Sequence, residues 1–197
     1  MAKWTVLALS GSPSSPSKSA QIVDLVLRQL AETGIETRHI LIRDLPAQAL
    51  VTADVKDPVV AEAVAALDAA DGVIVATPIY KASYTGLLKT FLDLLPQFAL
   101  AGKTVLPLAS GGSLAHVLAL DYGLRPVLQS LGARHIVQSH FIADAHMEMT
   151  EQGLGVKEEG ALSFREAIHH FRYSLEMTPE DRELGHPRPS RTTKSAA

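Results

Sequence analysis

Apolar positions along the chain switch repeatedly between two spacings. Val6–Leu9 is a short continuous apolar run, which predicts a buried strand. It stops at the turn residues Ser10-Gly11-Ser12-Pro13. From Ser19 the period lengthens, with Ile22, Leu25, Val26, Gln29 and Leu30 at helical spacing. Glu36–Ile42 alternates and predicts a second strand, followed by a loop over Arg43–Thr52 that contains Pro46. Pro58–Ala70 is alanine-rich and helical, with Asp57 as N-cap and Pro58 at the first helical position. Gly72–Thr77 is continuously apolar, as expected of a strand covered on both faces. A helix over Leu87–Leu95 runs up to Pro96. Lys103–Ser110 reads as a fourth strand, although Pro107 inside it weakens the pattern. Val117, Leu120, Leu124, Val127 and Leu131 then mark a helix over Val117–Leu131. Arg134–His140 is the expected fifth strand and Leu162–Leu175 the last helix.

Strands alternating with helices imply right-handed crossovers and a mostly parallel sheet covered on both sides. The expectation is one α/β domain over residues 1–177, a three-layer doubly wound fold with a central five-stranded parallel sheet. Ligands of such folds sit outside the carboxyl ends of the strands. The loops richest in chemistry follow those ends. After strand one comes the hydroxyl-rich stretch Ser10–Ser19, which opens onto a helix N-terminus, where unpaired amides and the helix dipole favour phosphate. Ser10, Ser12, Ser17 and Ser19 add hydroxyls and Lys18 adds a positive charge. An ordinary strand–helix connection with a serine N-cap is the plainer reading of the same residues.

Two common phosphate loops are excluded. The Lys18-Ser19 pair lacks Walker A glycines, since Ser17 and Ser12 stand one and six residues before the lysine. Gly11 is the only glycine before Gly34, so there is no GxGxxG dinucleotide fingerprint. Hydroxyls and helix amides around one terminal monophosphate fit better, and FMN carries such a group. After strand three, Pro78-Ile79-Tyr80-Lys81-Ala82-Ser83-Tyr84-Thr85-Gly86 offers two aromatics and backbone amides suited to a flat heteroaromatic ring. After strand four, Ser110-Gly111-Gly112-Ser113 lets backbone approach a ligand closely, and His116 lies just beyond it.

Composition narrows the partners. Of 197 residues, 47% are hydrophobic and 20% charged, the balance of a soluble globular domain. A net charge of −3 argues against a nucleic-acid surface. The absence of cysteine removes disulfides, thiol redox chemistry and cysteine-ligated metal. The histidines show no metal-site spacing. With a first strand beginning by about Trp4 and no membrane-length apolar run, no signal peptide or membrane span is expected, and the cytoplasm is the default location. The tail from Thr178, rich in Pro, Arg, Ser and Thr, is expected to be flexible or loosely packed.

The GSPxxxSxS loop, ATPIYKASYTGLLKTFLDLLP and PLASGGSLAHVLALDYGLRPVL resemble the NAD(P)H-dependent FMN reductases of sulfonate assimilation, in the flavodoxin-like superfamily. The resemblance covers roughly Val6–Leu131 with specific motifs and continues to about Leu175. It implies a flavodoxin-like fold, FMN with NADPH or NADH, and a homodimer or homotetramer. It also implies reduced flavin handed to a flavin-dependent alkanesulfonate monooxygenase. It maps the phosphate loop onto Ser10, Ser12, Ser17, Lys18 and Ser19, the ring loop onto Pro78–Lys81, Tyr84 and Gly86, and the glycine loop onto Ser110–Ser113. Many relatives carry arginine where this chain has Lys18, which keeps the charge but loses bidentate geometry.

Hydride would pass between nicotinamide and flavin with no side-chain acid or base, leaving Lys81 and His116 as assistants at most. Within the helix after the glycine loop, Pro126 denies the Tyr122 carbonyl its usual donor, which predicts a kink or a π-bulge. Leu118 and Tyr122 fall off the core stripe. The resemblance assigns this place a π-helix formed by an inserted tyrosine at a tetramer interface. Two other activities stay open on the sequence: an FMN-bound quinone, azo or metal-ion reductase, and a non-enzymatic flavin electron carrier.

Overall fold

The computed structural model describes residues 4–151 and 153–177, so the expectation for the tail from Thr178 lies outside the described residues. The sheet runs in the order β2 (Glu36–Leu41), β1 (Thr5–Ser10), β3 (Gly72–Pro78), β4 (Thr104–Gly111) and β5 (His135–Ile136), with every pair parallel. This is the expected flavodoxin-like doubly wound order, whose direction of winding switches between β1 and β3. Two pairs of residues of opposite parity explain why β1 reads as an unbroken apolar run. Val6 and Ala8 pack under α1 (Lys18–Ala31) and α6 (Glu158–Glu176), whereas Leu7 and Leu9 join the cluster under α3 (Pro58–Ala69) and α4 (Gly86–Leu92).

The fifth strand position departs from expectation. Instead of one strand over Arg134–His140, two segments occupy the edge: β5 beside Thr104–Val105, and β6 (His140–Ala143) beside Leu108–Gly111. The gap lies opposite Pro107, which has no N–H for a ladder. Arg125 bridges it. The guanidinium donates to the carbonyls of Ile136 and Val137, both at 3.2 Å, and to Ser139 Oγ at 3.0 Å.

Two further differences are local, and the expected break in the helix after the glycine loop is present. The expected loop Arg43–Thr52 contains a 3-10 turn, Ile42–Asp44, and a six-residue helix α2 (Ala47–Thr52). A hairpin of β7 (Met147–Thr150) and β8 (Gly153–Val156) precedes α6, which begins four residues before the expected Leu162. The helix expected over Val117–Leu131 is composite. A 3-10 turn (Leu114–His116) leads to a π-helix (Leu120–Leu124), in which the Arg125 N–H reaches the Leu120 carbonyl, and then to α5 (Arg125–Ser130). The wider turn ends just before Pro126, which has no N–H to continue the α-helical ladder at the Tyr122 carbonyl.

Candidate functional site

The loops after β1, β3 and β4 enclose a cavity of about 250 Å³ at the carboxyl edge of the sheet. Its floor is the start of α1. Ser17 caps that helix, its Oγ accepting the Ala20 N–H at 3.2 Å and lying 3.1 Å from Ser19 Oγ. The first helical bond is Gln21 N–H to Ser17 C=O, and helix geometry gives the amides of Lys18 and Ser19 no intrahelical acceptor. Ser12, Ser17 and Ser19 are buried yet line the cavity, as Lys18 does from its rim. The other wall is Pro78, Ile79, Tyr80, Ser110, Gly111 and Gly112. A side chain at Gly112 would meet nothing within 4 Å, so internal packing does not demand that glycine.

A second set of bonds fixes the loops to one another. Thr85, the N-cap of α4, accepts the Leu88 N–H at 3.2 Å and donates to the Gly11 carbonyl at 2.5 Å. Gly11 itself is required by close approach, since a Cβ there would stand 2.5 Å from Leu88 Cβ. The Ile79 N–H donates to Ser110 C=O at 2.9 Å, and Arg43 donates to the Ser14 carbonyl.

The tip of the second loop is a two-residue hairpin. Tyr80 and Ser83 exchange both backbone bonds, at 2.9 and 3.1 Å, around Lys81 and Ala82. Both have positive φ, 50° and 63°. Such a turn favours Asn-Gly, and two non-glycine residues in the left-handed region carry strain of the kind held at functional sites. Tyr80 stands beside it, 47% exposed at the cavity rim, its hydroxyl 3.4 Å from Ser14 Oγ.

Ten of the residues anticipated from sequence line one cavity: Ser12, Ser17, Lys18, Ser19, Pro78, Ile79, Tyr80, Ser110, Gly111 and Gly112. Ser10 does not. Parity places it with Val6 and Ala8 on the α1 face, where its hydroxyl lies 2.7 Å from His39 Nε2, and His39 Nδ1 in turn lies 2.8 Å from Asp24. Gly86 opens α4, Tyr84 packs against the core, and Lys81 is exposed at the hairpin tip. Ser113 caps the 3-10 turn by accepting the Ala115 N–H, and His116 ends that turn half-buried. These five residues do not line the cavity. Leu118 and Tyr122 do point outward, at 55% and 79% exposure.

Sequence reasoning missed Asp144. It follows β6 and reaches the cavity rim, its Oδ2 2.8 Å from Lys18 Nζ. Thr85 and Arg43 were missed in the same way, because they act on Gly11 and Ser14, which are remote in sequence. Burial holds the His140 imidazole below its ordinary value of 6.5, and the described residues contain no His, Cys, Asp and Glu group placed to hold a metal. No helix among them is long and apolar enough to cross a membrane.

The donor set fits a phosphate monoester: buried hydroxyls, one ammonium and the amides of a helix start. Comparison with known proteins agrees with that chemistry. A family model described as NADPH-dependent FMN reductase matches residues 4–148. An "FMN reductase (NADPH)" of Pseudomonas putida is 44% identical over 176 residues, covering 88% of this chain and 89% of its own length. A second protein with that description, from Escherichia coli K12, is 40% identical over 171 residues, covering 83% and 90%. Among solved structures, the apo form of an NADH:FMN oxidoreductase, EMOB, superposes with a TM-score of 0.85 at 53% identity, over 95% of this chain and 98% of that one. The chain belongs to the NADPH-dependent FMN reductase family.

Proposed function

We propose that this oxidoreductase transfers hydride from NADPH or NADH to FMN and hands the reduced flavin to an alkanesulfonate monooxygenase in the cytoplasm. The observation that carries the reading is the cavity in which Ser12, Ser17, Ser19 and Lys18, at the start of α1, face the Pro78–Tyr80 and Ser110–Gly112 loops. When bound, FMN supplies the hydride-accepting ring. Ser12, Ser17, Lys18 and Ser19 hold its phosphate. The Pro78–Tyr84 loop and the backbone at Ser110–Gly112 position what the phosphate anchors. Thr85 and the Ile79–Ser110 bond keep those loops in register. Orientation of two reactants, rather than proton transfer by a side chain, is the task these residues perform.

The handover is supported by the loop motifs rather than by a feature of the cavity, and it has its own test. The purified chain should oxidise NADPH or NADH only with added FMN. Mixed with an alkanesulfonate monooxygenase, an alkanesulfonate and oxygen, it should drive sulfite release. Turnover with quinone on retained flavin, and no sulfite, would favour a quinone reductase instead.

Assembly belongs to the same reading. Leu114, Val117, Leu118 and Tyr122 form an exposed apolar strip from the 3-10 turn to the π-helix. Inside that π-helix, a Cβ at Gly123 would stand 3.7 Å from Ser83 Oγ and Tyr84 Cδ1, so the strip backs directly onto the ring loop. A homodimer or homotetramer closed over Tyr122 would therefore couple assembly to flavin exchange. Tyr122→Ala is expected to lower the oligomer mass by light scattering and to raise the flavin retained after gel filtration. Native mass with native flavin content would make Tyr122 a plain surface residue.

A further inference from the structure

Among the described residues that line the cavity, Lys18 is the one cation and Asp144 the one carboxylate, and they neutralise each other at 2.8 Å. A carboxylate is out of place in a cradle of hydroxyls and helix amides suited to an anion. Its position is not accidental slack. The last pair of the β4–β6 ladder is Gly111 with Ala143, so Asp144, the next residue after β6, stands beside the glycine loop. The 3-10 turn it opens, Asp144–His146, is pinned from below. Lys157 donates its side chain to Ala145 C=O at 2.9 Å and its backbone N–H to His146 C=O at 2.8 Å. The backbone that carries the carboxylate is thus held in place, and a rotated Asp144 side chain would still leave its charge within a few ångströms of the cavity rim.

We propose that Asp144 is a specificity-determining residue that weakens the hold on phosphate and keeps FMN exchangeable. The inference rests on the phosphate assignment made above. A phosphate monoester carries between one and two negative charges at neutral pH. To use Lys18 it must displace the Asp144 carboxylate and then remain beside it. Arg43, a second cation that touches the first loop, offers no substitute. It is engaged with the Ser14 carbonyl and lies 3.6 Å from Asp44. Lys18 and Asp144 are 54% and 38% exposed, so their bond contributes little to folding and its loss is felt by the ligand. A chain that releases its flavin to another protein benefits from a cradle with this internal competitor.

The test compares Asp144→Asn with the native full chain in equilibrium titrations of FMN and riboflavin, with folding checked by circular dichroism. FMN should bind roughly three- to tenfold more tightly to the variant, as expected for removing one partly screened charge. Riboflavin affinity should not change. Inorganic phosphate should compete with FMN at correspondingly lower concentration. Asp144→Ser, which removes the charge with a smaller side chain, must move FMN affinity in the same direction. Native FMN preference with unchanged or weaker binding in the variants would overturn the inference alone, showing that Asp144 positions Lys18 for phosphate. Equal affinity of the native chain for FMN and riboflavin would overturn the phosphate assignment and the inference with it.

Discussion

Ser83→Pro is expected to lower NAD(P)H:FMN turnover by at least about 100-fold, the loss that an ångström-scale misplacement of a reactant produces. The Ser83 N–H is one of the two backbone donors that close the Tyr80–Ser83 hairpin, and proline removes it. Proline also disfavours a helical-region residue before it, whereas Ala82 sits at φ 63°. The turn would open and carry Tyr80 away from the Ser12–Ser19 wall. The core should not notice. Lys81 and Ala82 are exposed, and the hydrophobic cluster beneath the loop is built from Ile79, Leu88 and Phe91. Steady-state kinetics beside a thermal melt separates the two effects. A melt as damaged as that of a β3 core variant such as Val75→Ala would make the loop a packing segment. Native turnover would remove it from the site.

Lys18→Ala should weaken FMN by about 1–2 kcal/mol, roughly five- to thirtyfold, the range for a charged hydrogen bond. Riboflavin should bind the variant as it binds the native chain. The residue is half-exposed and already paired with Asp144, which draws the effect towards the lower figure. A loss shared equally by riboflavin and FMN would place Lys18 against the ring or the sugar chain instead. Isothermal titration with both flavins distinguishes these outcomes.

The parts of this fold that read directly from sequence are those whose burial leaves a simple period. Val6–Leu9 and Gly72–Thr77 are apolar on both faces because helices cover both. Pro126 announced a broken helix four residues after Tyr122, and the π-helix stands there. What stayed hidden depends on contacts across long stretches of chain. Asp144 meets Lys18 across 126 positions, and Thr85 meets Gly11 across 74. The split of the fifth strand follows from Pro107 on its neighbour together with Arg125 from a helix, which no local pattern at residues 134–143 records. Ser10 was misplaced for a simpler reason. It belongs to β1, and period two carries its hydroxyl to the α1 face with Val6 and Ala8. The Lys81–Ala82 turn had no signal at all, because neither residue is a turn former; only the strained dihedrals reveal it.

The central claim is that the start of α1 is a seat for the phosphate of FMN, and that the three loops at the sheet's carboxyl edge are organised around it. Affinity of the native chain for FMN against riboflavin, measured by equilibrium titration in one buffer of fixed ionic strength, tests it most directly. The two ligands differ only in that phosphate. The account predicts that FMN binds at least about tenfold more tightly, from hydroxyl and ammonium bonds to one charged group. Equal affinity, or a preference for riboflavin, would contradict it.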